Sequence, residues 1–165
     1  MKYLTIIRHA KSDWSVNTDD FNRPLNERGK RAIPLVGQFL KNKNIQPDFI
    51  LSSPAKRAQK TAQGICKSIH HPTKNILFKM DIYTGDTKEI KKIIEEIDDN
   101  YNDVFLFGHE PVLSSIIEIF TKEKLEKFPT CAVYRITFDV SNWKAVDYKN
   151  AKCEFYVNPK LLLKN

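Results

Sequence analysis

Short apolar runs alternate with amphipathic stretches along this chain, and no other feature restricts its fold as much. Residues 2 to 7, 49 to 51, 76 to 83 and 104 to 107 are runs of strand length, rich in β-branched and aromatic residues. Val104-Phe105-Leu106-Phe107 is the cleanest of them. Between them lie helical patterns. Ala32, Val36, Phe39 and Leu40 recur at helical spacing over 27 to 42, behind Asn26, a residue suited to capping. Ser53-Pro54 predicts the start of a second helix, with Ser at the cap and Pro at the first helical position. Ala58, Ala62, Ile65 and Ile69 mark its inner face, and Ile90, Ile93, Ile94 and Ile97 stripe a third over 86 to 98. A fourth runs from about Pro111 to Phe120. This alternation predicts an α/β three-layer sandwich, its mostly parallel central sheet covered by helices on both faces. Strand patterns at 132 to 138, 143 to 148 and 153 to 157 add an antiparallel extension at one edge. With 165 residues, no repeat and no linker, a single domain over 1–165 is expected.

The charge is uneven. The net charge is +7, yet residues 1 to 60 hold 12 Lys or Arg against 5 Asp or Glu, and the rest of the chain is balanced at 15 against 15. Such a local field draws anions: phosphorylated protein, small phosphate esters or nucleic acid. Without a helix-turn-helix, zinc-finger or aromatic RNA-binding signature, no nucleic-acid partner is expected. No stretch approaches the roughly 20 apolar residues of a membrane helix, so no membrane partner is expected either. The apolar run before Arg8 is too short for a signal peptide. Cys66, Cys131 and Cys153 lack the spacing of a disulfide framework or zinc site, which fits a cytoplasmic protein with reduced thiols and no metal.

Four residues fall where ligands bind in open α/β sheets, beyond the carboxyl ends of the strands. Arg8 and His9 end the first strand, His109 follows the 104 to 107 strand, and Arg57 lies in the first turn of the second helix. Any one alone reads better as a surface charge or a structural hydrogen-bonder. Together, two guanidinium groups, two imidazoles and a helix start suit a phosphoryl group, whose oxygens match the planar fork of Arg. His70 and His71 precede Pro72 in a polar stretch and have no visible partner. Trp14 reads equally as a residue of the site mouth or as packing under the loop.

Four motifs carry a resemblance. Ile7-Arg8-His9-Ala10-Lys11-Ser12, the block Asp20 to Gly29 with Arg23-Pro24-Leu25, the segment Ser52 to Ala62, and Gly108-His109-Glu110-Pro111 occur in one order. The chain resembles the histidine phosphatase superfamily, of phosphoglycerate mutase-like fold, and within it the SixA-like phosphohistidine phosphatases. The resemblance implies that His9 attacks phosphorus and forms a phosphohistidine intermediate. It implies that Arg8 and Arg57 hold the phosphoryl oxygens, and that a protonated His109 supplies a third donor. Ser15 and Arg23 are further candidate substrate contacts. No cofactor or metal is implied, and a monomer is expected.

Many family members carry an acid after the third strand that protonates the leaving group. Only Asp81 and Asp86 stand there in this chain as possible donors. Glu110, where Asn is common, either raises the pKa of His109 or points to solvent. An alkoxide leaving group needs a proton more than the weak P–N bond of a phosphoramidate does. Phosphohistidine in a protein is therefore the favoured substrate. A small-molecule or aryl phosphate ester is the alternative, and a phosphate-binding module without turnover the non-enzymatic one.

Overall fold

A single six-stranded sheet organises the chain. In the computed structural model, which describes residues 1–164, its strands are β1 (Lys2–Arg8), β2 (Phe49–Ser52), β3 (Ile76–Phe78), β4 (Asp103–Gly108), β5 (Val133–Phe138) and β6 (Ala151–Val157). Their order across the sheet is β3-β2-β4-β1-β5-β6. The first four run parallel, β5 pairs antiparallel to β1, and β6 pairs antiparallel to β5. The extension therefore lies where the strand-rich last third predicts it.

Strand period 2 sends alternate residues to opposite cores. Leu4 and Ile6 of β1, Leu51 of β2, and Val104 and Leu106 of β4 join one cluster. There they meet Ile90 and Ile94 of α4 (Thr87–Glu95) and Leu113, Ile116 and Phe120 of α5 (Val112–Thr121). Ile7, Ile50, Phe105 and Phe107 face the other way. They pack on α1 (Glu27–Asn42) and α2 (Lys56–Ser68), and Leu162 of α6 (Pro159–Leu163) joins them from the C-terminus. Each fully buried side chain of this kind contributes about 1.5–3 kcal/mol relative to exposure. Both faces are thus covered, which makes three layers.

Of the six arginines, Arg135 serves the sheet. Its guanidinium makes two hydrogen bonds to Asp103 at 3.0 and 2.8 Å, and others to Glu154 and Thr5 at 2.7 Å each. These ties join β5 to β4, β6 and β1.

Three elements depart from the sequence expectation. The second helix starts at Lys56, so Ser53 and Pro54 stand outside it; the Ser53 hydroxyl accepts from the Ala55 N–H at 3.2 Å. The run 76 to 83 is a strand only to Phe78, and Met80–Thr84 forms the short helix α3. Residues 143 to 148 are not a strand. Trp143 is fully buried, its N–H and indole N–H donate to Asp99 and Tyr101, and Asn142 and Asp147 cap two 3-10 turns. Side-chain anchoring there overrides an aromatic and β-branched pattern. No helix among the described residues is long and apolar enough to cross a membrane.

Candidate active site

The parallel strands end their carboxyl termini together, and the side chains that follow them converge. Arg8, His9, Arg57 and His109 line one cleft of about 290 Å³, with Lys11, Ser12, Trp14, Glu110 and Thr130. The His9 and His109 rings lie 5.1 Å apart between centroids.

Backbone ties fix the end of β1. The His9 N–H donates to the Gly108 carbonyl, and the Cys131 N–H donates to the carbonyls of Arg8 and His9 at 3.1 and 3.0 Å. Cys131 takes φ 61° to aim that N–H, a left-handed conformation costly for a side-chain-bearing residue. Burial pushes its thiol up to about 12, so it presents no thiolate near the cleft. Thr61 joins β1 to α2: its hydroxyl accepts from the Ala10 N–H at 2.8 Å and donates to the Arg57 carbonyl at 2.7 Å. Gly29 lets α1 approach the same loop, because a Cβ there would sit 2.2 Å from the Lys11 carbonyl oxygen.

His9 is buried, and its Nδ1 lies 2.7 Å from the Ala10 carbonyl. A carbonyl only accepts, so Nδ1 carries the proton and Nε2 holds the free lone pair. Desolvation pushes the imidazole down to about 3, against the Ala10 hydrogen bond and with help from His109, Arg57 and Arg8. At neutral pH this ring is uncharged, with the lone pair of Nε2 available.

His109 departs from expectation. Desolvation, then the Arg57 charge, push it down to about 4, and Asp20 opposes them only in part, so the ring is neutral at pH 7. Its Nε2 meets the Ser53 hydroxyl at 2.7 Å, and Nδ1 is buried without a partner among the described residues. A phosphoryl dianion would favour its protonation on arrival. Glu110 neither raises it nor points freely to solvent. Its carboxylate accepts from the Ser114 N–H at 2.7 Å at the start of α5. Arg8 is held down by desolvation, and Glu110 partly opposes this.

The remaining candidates fall outside the lining. Arg23 is buried and donates to the carbonyls of Asp13 and Val16 at 3.2 and 3.3 Å. It stacks under Trp14, 3.9 Å from the ring centroid, and this places Trp14, 73% exposed, at the mouth. Ser15 is exposed and donates to Asp13. Asp81 is exposed on α3, and Asp86 is spent as the cap of α4, accepting from the Glu89 N–H at 2.9 Å. α3 delivers Tyr83 instead. Its hydroxyl donates to Asp20 at 2.7 Å, and its ring lies edge-on to His109 at 5.5 Å. Asp20 in turn accepts from Arg57 through its backbone carbonyl at 2.8 Å and its carboxylate at 3.0 Å. The Tyr83 hydrogen bond leads in holding the Asp20 carboxyl below the usual carboxylate range, and Arg57 adds to it.

Known proteins bear on this geometry. The family model of the histidine phosphatase superfamily (branch 1) matches residues 4–76, the span that holds Arg8, His9 and Arg57. Over that span, less than half of the chain, the sequence is similar to the histidine phosphatase superfamily. An uncharacterized protein of Mycobacterium tuberculosis is 28% identical over 137 residues, 77% of this chain and 84% of its own length. The phosphohistidine phosphatase SixA of Escherichia coli K12 is 21% identical over 150 residues, 90% of this chain and 92% of its own. The crystal structure of SixA from Agrobacterium tumefaciens superposes with a TM-score of 0.82 at 22% identity, covering 96% of this chain and 98% of that one. At that identity the likeness is one of fold, and the chain has the phosphoglycerate mutase-like architecture.

The two neutral imidazoles of the cleft predict a pH-dependent stability. In the unfolded chain both rings titrate near the ordinary value of 6.5, and in the folded chain near 3 and 4. Below pH 6.5 the unfolded state binds protons that the native state refuses, so stability falls as pH drops and is fully present above that value. The urea midpoint should decrease steadily between about pH 7 and pH 5. His109→Gln, which cannot titrate, should shrink that decrease. A midpoint flat over the window in the wild type contradicts the burial of neutral rings.

Proposed function

We propose that this protein is a phosphatase acting on phosphohistidine in a protein, through a covalent phosphohistidine on His9. One observation carries the reading. The buried His9 is held by the Ala10 carbonyl as the tautomer whose lone pair is on Nε2, in a cleft flanked by two guanidinium groups. His9 Nε2 forms a bond to phosphorus while the bond from phosphorus to the substrate nitrogen breaks. The electron pair stays on that nitrogen, and the second nitrogen of the leaving ring takes a proton from solvent. Arg8, Arg57 and His109 stabilise the charge on the phosphoryl oxygens. Water then attacks phosphorus, the pair returns to Nε2, and phosphate and a proton leave.

The acids at the cleft support a P–N substrate over an alkyl ester. Glu110 is engaged at the start of α5, and Asp20 is kept ionised by Tyr83 and Arg57. An ionised carboxylate has no proton to give an alkoxide. Two guanidinium groups supply the charge that a metal supplies in other phosphatases, so turnover should persist in EDTA. Phosphate release from a phosphohistidine peptide, an aryl phosphate and a sugar phosphate tests the reading. Cleavage of the peptide should exceed that of the aryl ester by at least about tenfold in kcat/KM, with the sugar phosphate inert, as leaving-group demand predicts. Equal rates on the esters, or loss of activity in EDTA restored by metal, would overturn it.

A further inference from the structure

A second and larger cavity, of about 680 Å³, opens beside the cleft and shares Lys11 and Thr130 with it. It lies between the start of α1, the 129–130 turn and α6. Five bases line it, Lys11, Arg28, Arg31, Lys160 and Lys164, and no Asp or Glu does among the described residues. None of the five forms an ion pair among those residues. Its floor is apolar, from the partly buried Ala32, Leu35 and Pro129. Three of the five bases come from the first 60 residues, so part of the basic excess of the sequence is spent here, next to the nucleophile. The remaining two arrive from the opposite end of the chain, Lys160 on α6 and Lys164 at its C-cap.

We propose that this cavity docks an acidic, amphipathic segment of the phosphoprotein substrate, next to its phosphohistidine. The proposal rests on the phosphoprotein reading above. All five bases are exposed on flexible side chains. A small ligand needs donors held in one geometry, whereas mobile exposed bases meet carboxylates in any arrangement a protein surface offers. The apolar floor takes the Leu or Ile face of the segment, and the basic rim takes its carboxylates. The shared residues put both parts of one substrate on a continuous surface.

Three phosphohistidine probes test this: a peptide flanked by Glu and Leu, its Gln-for-Glu counterpart, and phosphoramidate. The acidic peptide should exceed the neutral one in kcat/KM by about tenfold or more at low salt, chiefly through KM, and the gap should close at high salt. Arg28→Glu/Arg31→Glu/Lys160→Glu should abolish the preference and leave phosphoramidate cleavage within about twofold, as rim charges act on encounter rather than chemistry. Lys144→Glu/Lys149→Glu/Lys152→Glu makes the same change in net charge elsewhere. Lys152 lies opposite Thr137, which pairs with Tyr3 at the amino end of β1, far from the cleft. That variant should keep the preference. Anisotropy of the unphosphorylated acidic peptide, tight on the wild type and weakened about tenfold in the first triple variant, decides docking even if no phosphohistidine probe is cleaved. Equal treatment of both peptides, equal damage from both triple variants, or binding of pyrophosphate without either peptide would overturn the proposal.

Discussion

His9→Ala abolishes turnover, with a loss of at least about 10⁴-fold in kcat, the scale seen when a covalent nucleophile is removed. The reasoning is local. Nε2 of His9 carries the lone pair of a neutral ring whose other nitrogen donates to the Ala10 carbonyl. Alanine leaves Arg8, Arg57 and His109 in place to bind phosphate but gives phosphorus nothing to bond to. The fold survives, because the hydrogen bond of the His9 ring is to its immediate neighbour Ala10 and its position comes from backbone ties through Gly108 and Cys131. Rapid quenching of the wild type with a labelled phosphohistidine peptide should trap acid-labile phosphate on the protein, and the variant should trap none. Full activity in the variant, or label on another residue, would refute the covalent route.

The four converging residues were legible because strand ends are legible. A run such as Val104 to Phe107 fixes its direction in a parallel sheet, and whatever follows it must emerge at the carboxyl edge. The capping of α1 by Asn26 and the two-sided burial of β4 follow from the same local rules. Ser53, Asp20 and Tyr83 were not legible as site residues, for related reasons. Ser53 reads as a helix cap, and only the later start of α2 frees its hydroxyl for His109. Tyr83 reads as part of a strand, which would have aimed it by period 2; the turn into α3 aims it at Asp20. Asp20 stands within a family motif, yet its partner is set by the path of a loop that has no periodicity to read. The neutrality of His109 was hidden too, because desolvation depends on how closely the cleft walls pack.

Arg57→Ala lowers kcat/KM by about 10²–10³-fold, in line with about 2.7–4 kcal/mol for one preorganised donor to a developing oxyanion. Arg57 does two jobs, and the second shapes the outcome. It faces the cleft from the first turn of α2, and through Nη1 and Nη2 it also pins the Asp20 carbonyl and carboxylate. Removing the guanidinium therefore deletes a phosphate donor and leaves the Asp20 carboxylate, held by Tyr83 alone, without its countercharge near His109, where it repels an anionic substrate. Arg57→Ala/Asp20→Asn should recover part of the loss through KM while kcat stays low, so the two substitutions are non-additive. Arg57→Lys should restore little, since an ammonium is a point charge without the fork that spans two oxygens. Steady-state kinetics of the four proteins on one phosphohistidine peptide separate these effects. A loss under tenfold in Arg57→Ala would place the guanidinium outside the transition state and reduce it to a strut for the Asp20 loop.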